Sequence, residues 1–353
     1  MRKSLELFIV VSCLVACRQS GPLPDIPDLG MYKDVIIEIS APGVWDNCTR
    51  SVIPDPLRVL DIVDVFIYKD GALRRSLSFS RSSVGDSSLK TSSRLLAGDT
   101  YDIIVIANNT EHTAPATLDD ALGMVYDSQG FTNLEEHGIP MCGMTTVTVT
   151  PNIGRINIVL KRLVAQVVFD IDKSGMTAGT IDLTSAKVCQ MNTVCPFFDD
   201  GRATRSTEVS DGDYAKVEHM VYINAGWECV FFVLENKQGD LLPQNVNPDL
   251  KLPVKVWQSG GNPGLCTYVE LSGVYTGKKN YLKGEPFVVR FFIGADACTN
   301  FDVNRNWRYL IHLVFTDDIC FRNDWKLDFG SSLSAPFKVT ADVKGAPTAD
   351  SLS

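Results

Sequence analysis

The chain has 353 residues, of which 45% are hydrophobic and 21% are charged, and its formal net charge is -9 at pH 7. This hydrophobic content is sufficient for a buried core, so the composition excludes wholesale disorder. The acidic balance argues against nucleic acid as a partner, because nucleic-acid binding requires a basic surface. At about 150 residues per domain, the length predicts two domains.

The first seventeen residues have the pattern of a bacterial lipoprotein signal peptide. Arg2 and Lys3 supply the positive start, an apolar run over 7–16 follows, and the run ends in the residues LVAC. A transmembrane anchor is disfavoured, because a membrane span needs roughly 20 apolar residues. A small residue directly before a cysteine favours cleavage by the lipoprotein signal peptidase, so Cys17 is the predicted lipidation site. An ordinary secretory signal is the alternative.

Residues 18–31 are rich in Pro, Gly and Asp, which predicts a flexible tether between the lipid and the folded part. From Tyr32 onward, short β-type runs are separated by Gly, Asp, Asn and Pro. This spacing indicates an all-β protein of the β-sandwich class. The predicted strands are 35–39, 62–68, 102–107, 145–150, 156–160, 164–169, 230–234, 287–292, 309–315 and 337–343. One helix is predicted over 117–122, where Thr117 precedes two acidic residues and can cap the first turn.

Two of the predicted strands alternate between apolar and polar residues, so each has one apolar face. In the first strand this face consists of Val35, Ile37, Ile39 and Ala41; in the last it consists of Phe337, Val339, Ala341 and Val343. The simplest interpretation is that both are outer strands with one buried face.

The sequence contains no recognisable catalytic or metal-binding motif. None of the four histidines lies at metal-ligand spacing from another, and neither a nucleophile elbow nor a P-loop is present. Cys189 and Cys195 are too far apart for a zinc pair. Eight cysteines remain of the ten once Cys13 and Cys17 are set aside. An exported protein permits disulfides between them, but burial as small hydrophobic residues is equally consistent. We therefore predict no enzymatic activity, no metal and no cofactor.

Several segments, taken in chain order, resemble the fimbrillin-type (FimA-like) lipoproteins of Bacteroidetes. They are Thr49-Arg50-Ser51 with the strand at 57–68, the segment 96–108, the segment 139–143, the segment 161–167, and the tryptophan-containing segments 306–309 and 324–327. Segment 139–143 is similar to the family's Pro-Met-Ser-Gly, with Cys142 in place of serine. Segment 161–167 is similar to its Arg-x-x-Ala-Lys, with Gln166 in the usual lysine place.

The resemblance implies two tandem transthyretin-like β-sandwich domains, at 32–162 and 163–353. It also implies assembly by strand exchange: a trypsin-like protease cuts after an arginine beyond the first strand, and an extended segment of another subunit fills the vacated groove. Arg50, followed by Ser51, is the residue in that position. The same tripeptide recurs around Arg205, so only its location favours Arg50. The matching apolar face of 337–343 makes 336–344 the candidate donor strand, with pairing inside its own C-terminal sheet as the alternative.

The predicted function is a structural or adhesive subunit of a surface fimbria, attached through its lipid to the outer membrane at least as a precursor. Its predicted partners are other fimbrial subunits and a host or bacterial surface ligand. One alternative is a fimbrial anchor that keeps its lipid and first strand. A second is a glycan-binding surface lipoprotein that uses some of its five tryptophans, although most lie in strand-like runs where core packing is expected. A hydrolase with a sandwich fold is a third.

Overall fold

A computed structural model describes the greater part of the chain between residues 31 and 344. The described ranges are 31–41, 60–80, 87–111, 113–128, 138–175, 179–198, 209–212, 220–223, 226–247, 250–276, 285–296, 298–316 and 337–344.

Within these ranges the fold is almost entirely β-structure. The strands are β1 (Tyr32–Ser40), β2 (Ile62–Lys69), β3 (Ala72–Ser80), β4 (Ser88–Leu96), β5 (Thr100–Ala107), β6 (Val125–Asp127), β7 (Met141–Thr148), β8 (Arg155–Val159), β9 (Lys161–Arg162), β10 (Val164–Gly175), β11 (Thr180–Asn192), β12 (Val194–Pro196), β13 (Val209–Gly212), β14 (Met220–Ile223), β15 (Gly226–Leu234), β16 (Tyr268–Thr276), β17 (Glu285–Phe292), β18 (Arg308–Thr316) and β19 (Phe337–Lys344). Two short α-helices, α1 (Leu118–Leu122) and α2 (Pro253–Gln258), and a 3-10 helix at Pro263–Leu265 complete the described elements. The all-β prediction is therefore confirmed.

Apart from β6, the described strands of the first half of the chain form two sheets. One has the order β4-β1-β8, with β1 antiparallel to β4 and parallel to β8, and the other has the order β3-β2-β5-β7-β9. The two sheets approach closely where β7 faces β8, since a Cβ added at Gly143 would lie 2.9 Å from Cγ2 of Ile158. A glycine at this position therefore lets the β7 backbone approach the side chains of β8.

The second half contributes a five-stranded sheet with the order β14-β15-β10-β18-β19 and a four-stranded sheet with the order β13-β11-β16-β17. In the first of these, β19 is the last of the described strands and pairs with β18. In both halves, the longer strands draw on β-branched and aromatic residues, which suit a pleated surface that is buried on at least one face.

Several contacts between described residues connect the two halves. Strand β12 pairs with β6 in a two-stranded sheet. The Cys142 thiol donates to the carbonyl oxygen of Phe197 (2.8 Å), and buried Arg162 donates from Nη1 to Oδ1 of Asn306 (3.2 Å). Apart from the β6–β12 pair, the described strands before Leu163 pair only with one another, and so do those after it. One apolar core cluster nevertheless contains residues from both halves. The division into domains at 162/163 stays a prediction.

The predicted helix is present and capped as expected. Thr117 accepts a hydrogen bond at Oγ1 from the backbone N–H of Asp120 (3.1 Å), and α1 begins at Leu118. Sequence analysis missed α2, because its six residues are too few for a helical period to be recognisable. The predicted strand 62–68 is present as β2, and Leu60 and Asp61 precede it in irregular backbone. Residues 57–59 lie outside the described residues.

Candidate strand-exchange site

Strand β1 buries one complete face. Val35, Ile37 and Ile39 are fully buried and Ala41, directly after the strand, is 8% exposed. The intervening Ile36 is 40% exposed on the opposite face. Successive side chains of a strand point to opposite faces, so the predicted apolar face of this strand is confirmed.

Both edges of β1 are paired. Its register runs from Tyr32 opposite Leu96 to Ser40 opposite Ser88 on β4, and from Ile36 opposite Arg155 to Ser40 opposite Val159 on β8. Strand β1 therefore fills a position between two strands, which we call the β1 slot. If β1 were removed, the facing edges of β4 and β8 would lose their hydrogen-bond partners and an apolar groove would open to water.

An ion-pair cluster spans the outer face of the β1 slot. The Glu38 carboxylate lies 3.0 Å from Nζ of Lys90 on β4 and 3.0 Å from a guanidinium nitrogen of Arg155 on β8. The hydrogen bond from Lys90 is the main reason that the pKa of Glu38 is lowered. A single β1 carboxylate thus links three neighbouring strands. Sequence analysis missed this cluster, because six of the nine residues of β4 are Ser, Thr, Lys or Arg and the segment was not recognised as a strand.

The candidate donor strand is paired within its own chain. Strand β19 runs antiparallel to β18, from Arg308 opposite Lys344 to Phe315 opposite Phe337. The described chain therefore has the arrangement that the sequence left open as the alternative to donation. The donor role of Phe337, Val339, Ala341 and Val343 stays a prediction about an assembled state.

The predicted processing sites lie outside the described residues. Cys17 precedes the first described range, and Arg50 and Ser51 lie in the chain between β1 and β2. A cut after Arg50 would separate β1 from the rest of the chain, because every other described strand follows residue 51.

A second notable cluster lies at the junction between the two halves. Arg305 donates from Nη1 to the carbonyl of Phe197 (2.7 Å) and from Nη2 to the carbonyl of Pro196 (2.8 Å). Its Nε and Nη2 also contact Oε2 of Glu235 at 2.9 and 2.7 Å. An adjoining cavity of about 510 Å³ contains Trp307 among its lining residues. Because Arg305 holds the segment at the end of β12, it positions that strand for its pairing with β6.

The buried thiols at this junction are poor nucleophiles. Burial raises the pKa of Cys142 to about 11 and that of Cys195 to about 12, so both are protonated at neutral pH. Cys142, Cys195 and Cys266 are free and buried. Among the described side chains, no group of three or more His, Cys, Asp or Glu is placed to hold a metal ion. No helix in the described ranges is both long and apolar enough to cross a membrane.

The tryptophans differ in their exposure. Trp307 packs against the main core, as expected for a strand-like segment. Trp257, on α2, is 64% exposed, which differs from the expected core packing because this residue lies on a surface helix. A groove of about 420 Å³ lies beside α2 and is lined in part by Gln244, Asn245 and Gln258. Trp45 and Trp325 lie outside the described residues.

The comparisons with known proteins identify the fold. A profile for a domain of unknown function (DUF4906) matches residues 231–313, and no curated protein matches the chain by sequence. The crystal structure of a fimbrilin (FimA) from Porphyromonas gingivalis W83 is similar to the chain with a TM-score of 0.57 at 12% identity, covering 88% of this chain and 96% of that chain. The tip fimbrial protein Mfa3 from Porphyromonas gingivalis, with a C-terminal truncation, is similar with a TM-score of 0.55 at 12% identity, covering 88% of this chain and 99% of that chain. The chain therefore has the all-β fold of the fimbrillin-type proteins, which confirms the resemblance at the level of the fold.

Proposed function

We propose that this protein is a structural or adhesive subunit of a cell-surface fimbria that assembles by strand exchange. In this proposal the precursor is exported as a lipoprotein through Cys17 and is cut after Arg50, and β1 then leaves its slot. The β19 segment of a second copy enters the vacated slot. The protein acts through assembly and surface contact, and no enzymatic step is part of its function.

The observation that carries this proposal is the position of β1. Its apolar face is fully buried and both of its edges are paired, yet in the chain it is followed by the polar segment that contains Arg50. When such a strand is lost, it leaves an apolar groove with unpaired backbone groups on both sides. An extended segment with alternating apolar and polar residues can fill this groove.

Strand pairing also favours transfer of β19. Among the described strands this strand pairs only with β18, whereas the β1 slot offers β4 on one side and β8 on the other. A strand that moves into the slot therefore gains a second ladder of backbone hydrogen bonds, each worth about 0.5–1.5 kcal/mol net. Similar alternation in the two strands keeps apolar side chains on the buried face after the exchange.

The assembly test uses a trypsin-like protease on the purified precursor. Cleavage of the wild-type chain should yield polymers in size-exclusion chromatography and electron microscopy. Arg50→Ala should remain monomeric, because β1 stays attached and occupies its slot. Arg205→Ala is the matched control, since it removes the same Thr-Arg-Ser context elsewhere, and it should polymerise like the wild type.

A chain ended before Pro336 completes the test. It should be cut after Arg50 and still remain monomeric, because it lacks the donor. If this truncated chain polymerises as well as the full-length chain, β19 is not the donor strand, and only the fimbrillin-type fold is supported. The N-terminus of the protein recovered from the cell surface separates the alternatives: Ser51 is expected for an assembled subunit, and a lipidated Cys17 for an anchor.

A second function, glycan binding, is favoured by one observation: Trp257 is exposed on α2, the helix whose Gln258 lines a groove together with the amides of Gln244 and Asn245. Sugar rings stack on exposed aromatic faces while amides hydrogen-bond their hydroxyl groups. If glycans bind here, Trp257→Ala should abolish retention on a glycan array, and Trp307→Ala should not. Retention that is equal for Trp257→Ala and the wild type would exclude this site.

A further inference from the structure

The outer face of the β1 slot holds two cations that depend on one acid of the strand between them. Lys90 lies directly opposite Glu38 on β4, and Arg155 reaches the same carboxylate from β8. Both cations are more than half exposed in their side chains. When β1 leaves, its only acid within this cluster leaves with it, and the two cations face each other across the vacated slot.

We propose that Asp342 of the incoming β19 segment takes the place of Glu38 and thereby sets the register of strand exchange. This inference rests on the proposed function and names the contact that selects the partner strand, which is a second copy of this chain. Asp342 is the only acidic residue in β19. Alternation places it on the face opposite Phe337, Val339, Ala341 and Val343, as Glu38 is opposite the buried face of β1.

The apolar pattern alone does not decide between two registers for a strand entering in the direction of β1. In the first, Phe337 takes the position of Val35, so Thr340 takes the position of Glu38. In the second, the strand is shifted by two residues: Val339 takes the position of Val35, and Asp342 that of Glu38. A shift of two residues keeps the same face buried, so another interaction must choose between the registers.

Charge favours the second register. In the first, Lys338 would lie at the position of Ile36, directly opposite Arg155, with no acid between Arg155 and Lys90. In the second, Asp342 lies opposite Lys90 and uncharged Thr340 lies opposite Arg155, while Lys338 takes the position of Asp34, opposite Arg94. Each register thus places Lys338 opposite one arginine, but only the second supplies an acid opposite Lys90. Like charges directly opposite each other destabilise a strand pair and opposite charges stabilise it.

Disulfide crosslinking in cleaved, assembled full-length protein reads the register directly. Ser92 lies opposite Ile36, so it is next to Thr340 in the second register and next to Lys338 in the first. Mild oxidation should give a disulfide-linked ladder with Ser92→Cys/Thr340→Cys. Ser92→Cys/Lys338→Cys and Ser92→Cys alone should give no ladder beyond that of the native cysteines. A ladder with the Lys338 pair, or polymers without a ladder from either pair, would overturn the register.

Charge reversal tests the role of the carboxylate. Asp342→Lys should raise the protein concentration needed for assembly about tenfold at low salt, and less at high salt because the cluster is exposed. Adding Lys90→Glu should recover most of the loss. Asp350→Lys makes the same change of charge beyond the strand and should assemble like the wild type. If Asp342→Lys weakens assembly equally with and without Lys90→Glu, Asp342 does not pair with Lys90.

These experiments separate this inference from the proposed function. If cleaved protein forms no polymer in any variant, strand exchange itself is wrong. If polymers form but Asp342→Lys assembles like the wild type, the exchange stands and Asp342 does not set its register.

Discussion

Replacing Arg305 with methionine is expected to lower the free energy of unfolding by about 3–5 kcal/mol. The side chain of Arg305 is 10% exposed and that of Glu235 is 4% exposed, so removal of the guanidinium leaves a buried carboxylate with Lys237 as its nearest remaining cation, at 3.4 Å. The carbonyls of Pro196 and Phe197 each lose their guanidinium donor in the same step. Urea denaturation followed by tryptophan fluorescence measures the change.

The double variant Arg305→Met/Glu235→Met distinguishes a lost attraction from an uncompensated charge. It removes the buried carboxylate together with its partner, so it should recover a substantial part of the lost stability. Lys237→Met is the peripheral control and should cost no more than about 1 kcal/mol, because that contact is longer and the lysine is more exposed. A loss below about 1 kcal/mol for Arg305→Met would contradict the assigned role of this ion pair.

Truncating Ile37 to alanine is expected to destabilise the precursor by about 2–5 kcal/mol and to leave the assembled form unchanged. Ile37 is fully buried in the centre of β1, so its truncation leaves a cavity in the precursor. Under the proposed function β1 is absent from the assembled subunit, and the substitution is absent with it. Thermal unfolding of the precursor and of cleaved polymers measures both states.

Ile158→Ala is the matched control for this experiment. Ile158 lies opposite Ile39 on the adjacent strand β8, is 3% exposed and follows Arg50 in the chain. Its truncation should therefore weaken both the precursor and the polymer. If Ile37→Ala weakens the polymer as much as Ile158→Ala does, β1 is still present after assembly, and the anchor-like arrangement would be favoured over exchange.

The two clusters have different roles in this scheme. The Arg305–Glu235 pair is mostly buried, and it fixes a segment that reaches across the junction between the two halves. The Glu38 cluster is largely exposed and involves the strand that is proposed to leave. A buried ion pair stabilises the fold, because breaking it leaves an unpaired charge in the interior. An exposed ion pair can be exchanged for another at little cost in free energy.

The all-β class and the buried face of β1 followed from the sequence alone. Apolar and polar residues alternate over 35–41, and because side chains of a strand point to alternate faces, this local pattern predicts which of them are buried. The structure confirms this burial at Val35, Ile37 and Ile39. The Thr117 cap of α1 was predicted for the same reason, because the hydrogen bond from Asp120 lies within a single turn.

Polar strands and long-range ion pairs were decided only by the tertiary structure. Six of the nine residues of strand β4 are Ser, Thr, Lys or Arg, so its sequence resembles a loop until β1 supplies a partner. The contacts of Glu38 with Lys90 and of Glu235 with Arg305 join residues far apart in the chain. Such contacts depend on strand order and register, which the apolar period of single strands does not specify. The choice between β19 as a partner of β18 and as a donor has the same origin: alternation fixes which face is buried, and only the neighbouring strands decide which sheet buries it.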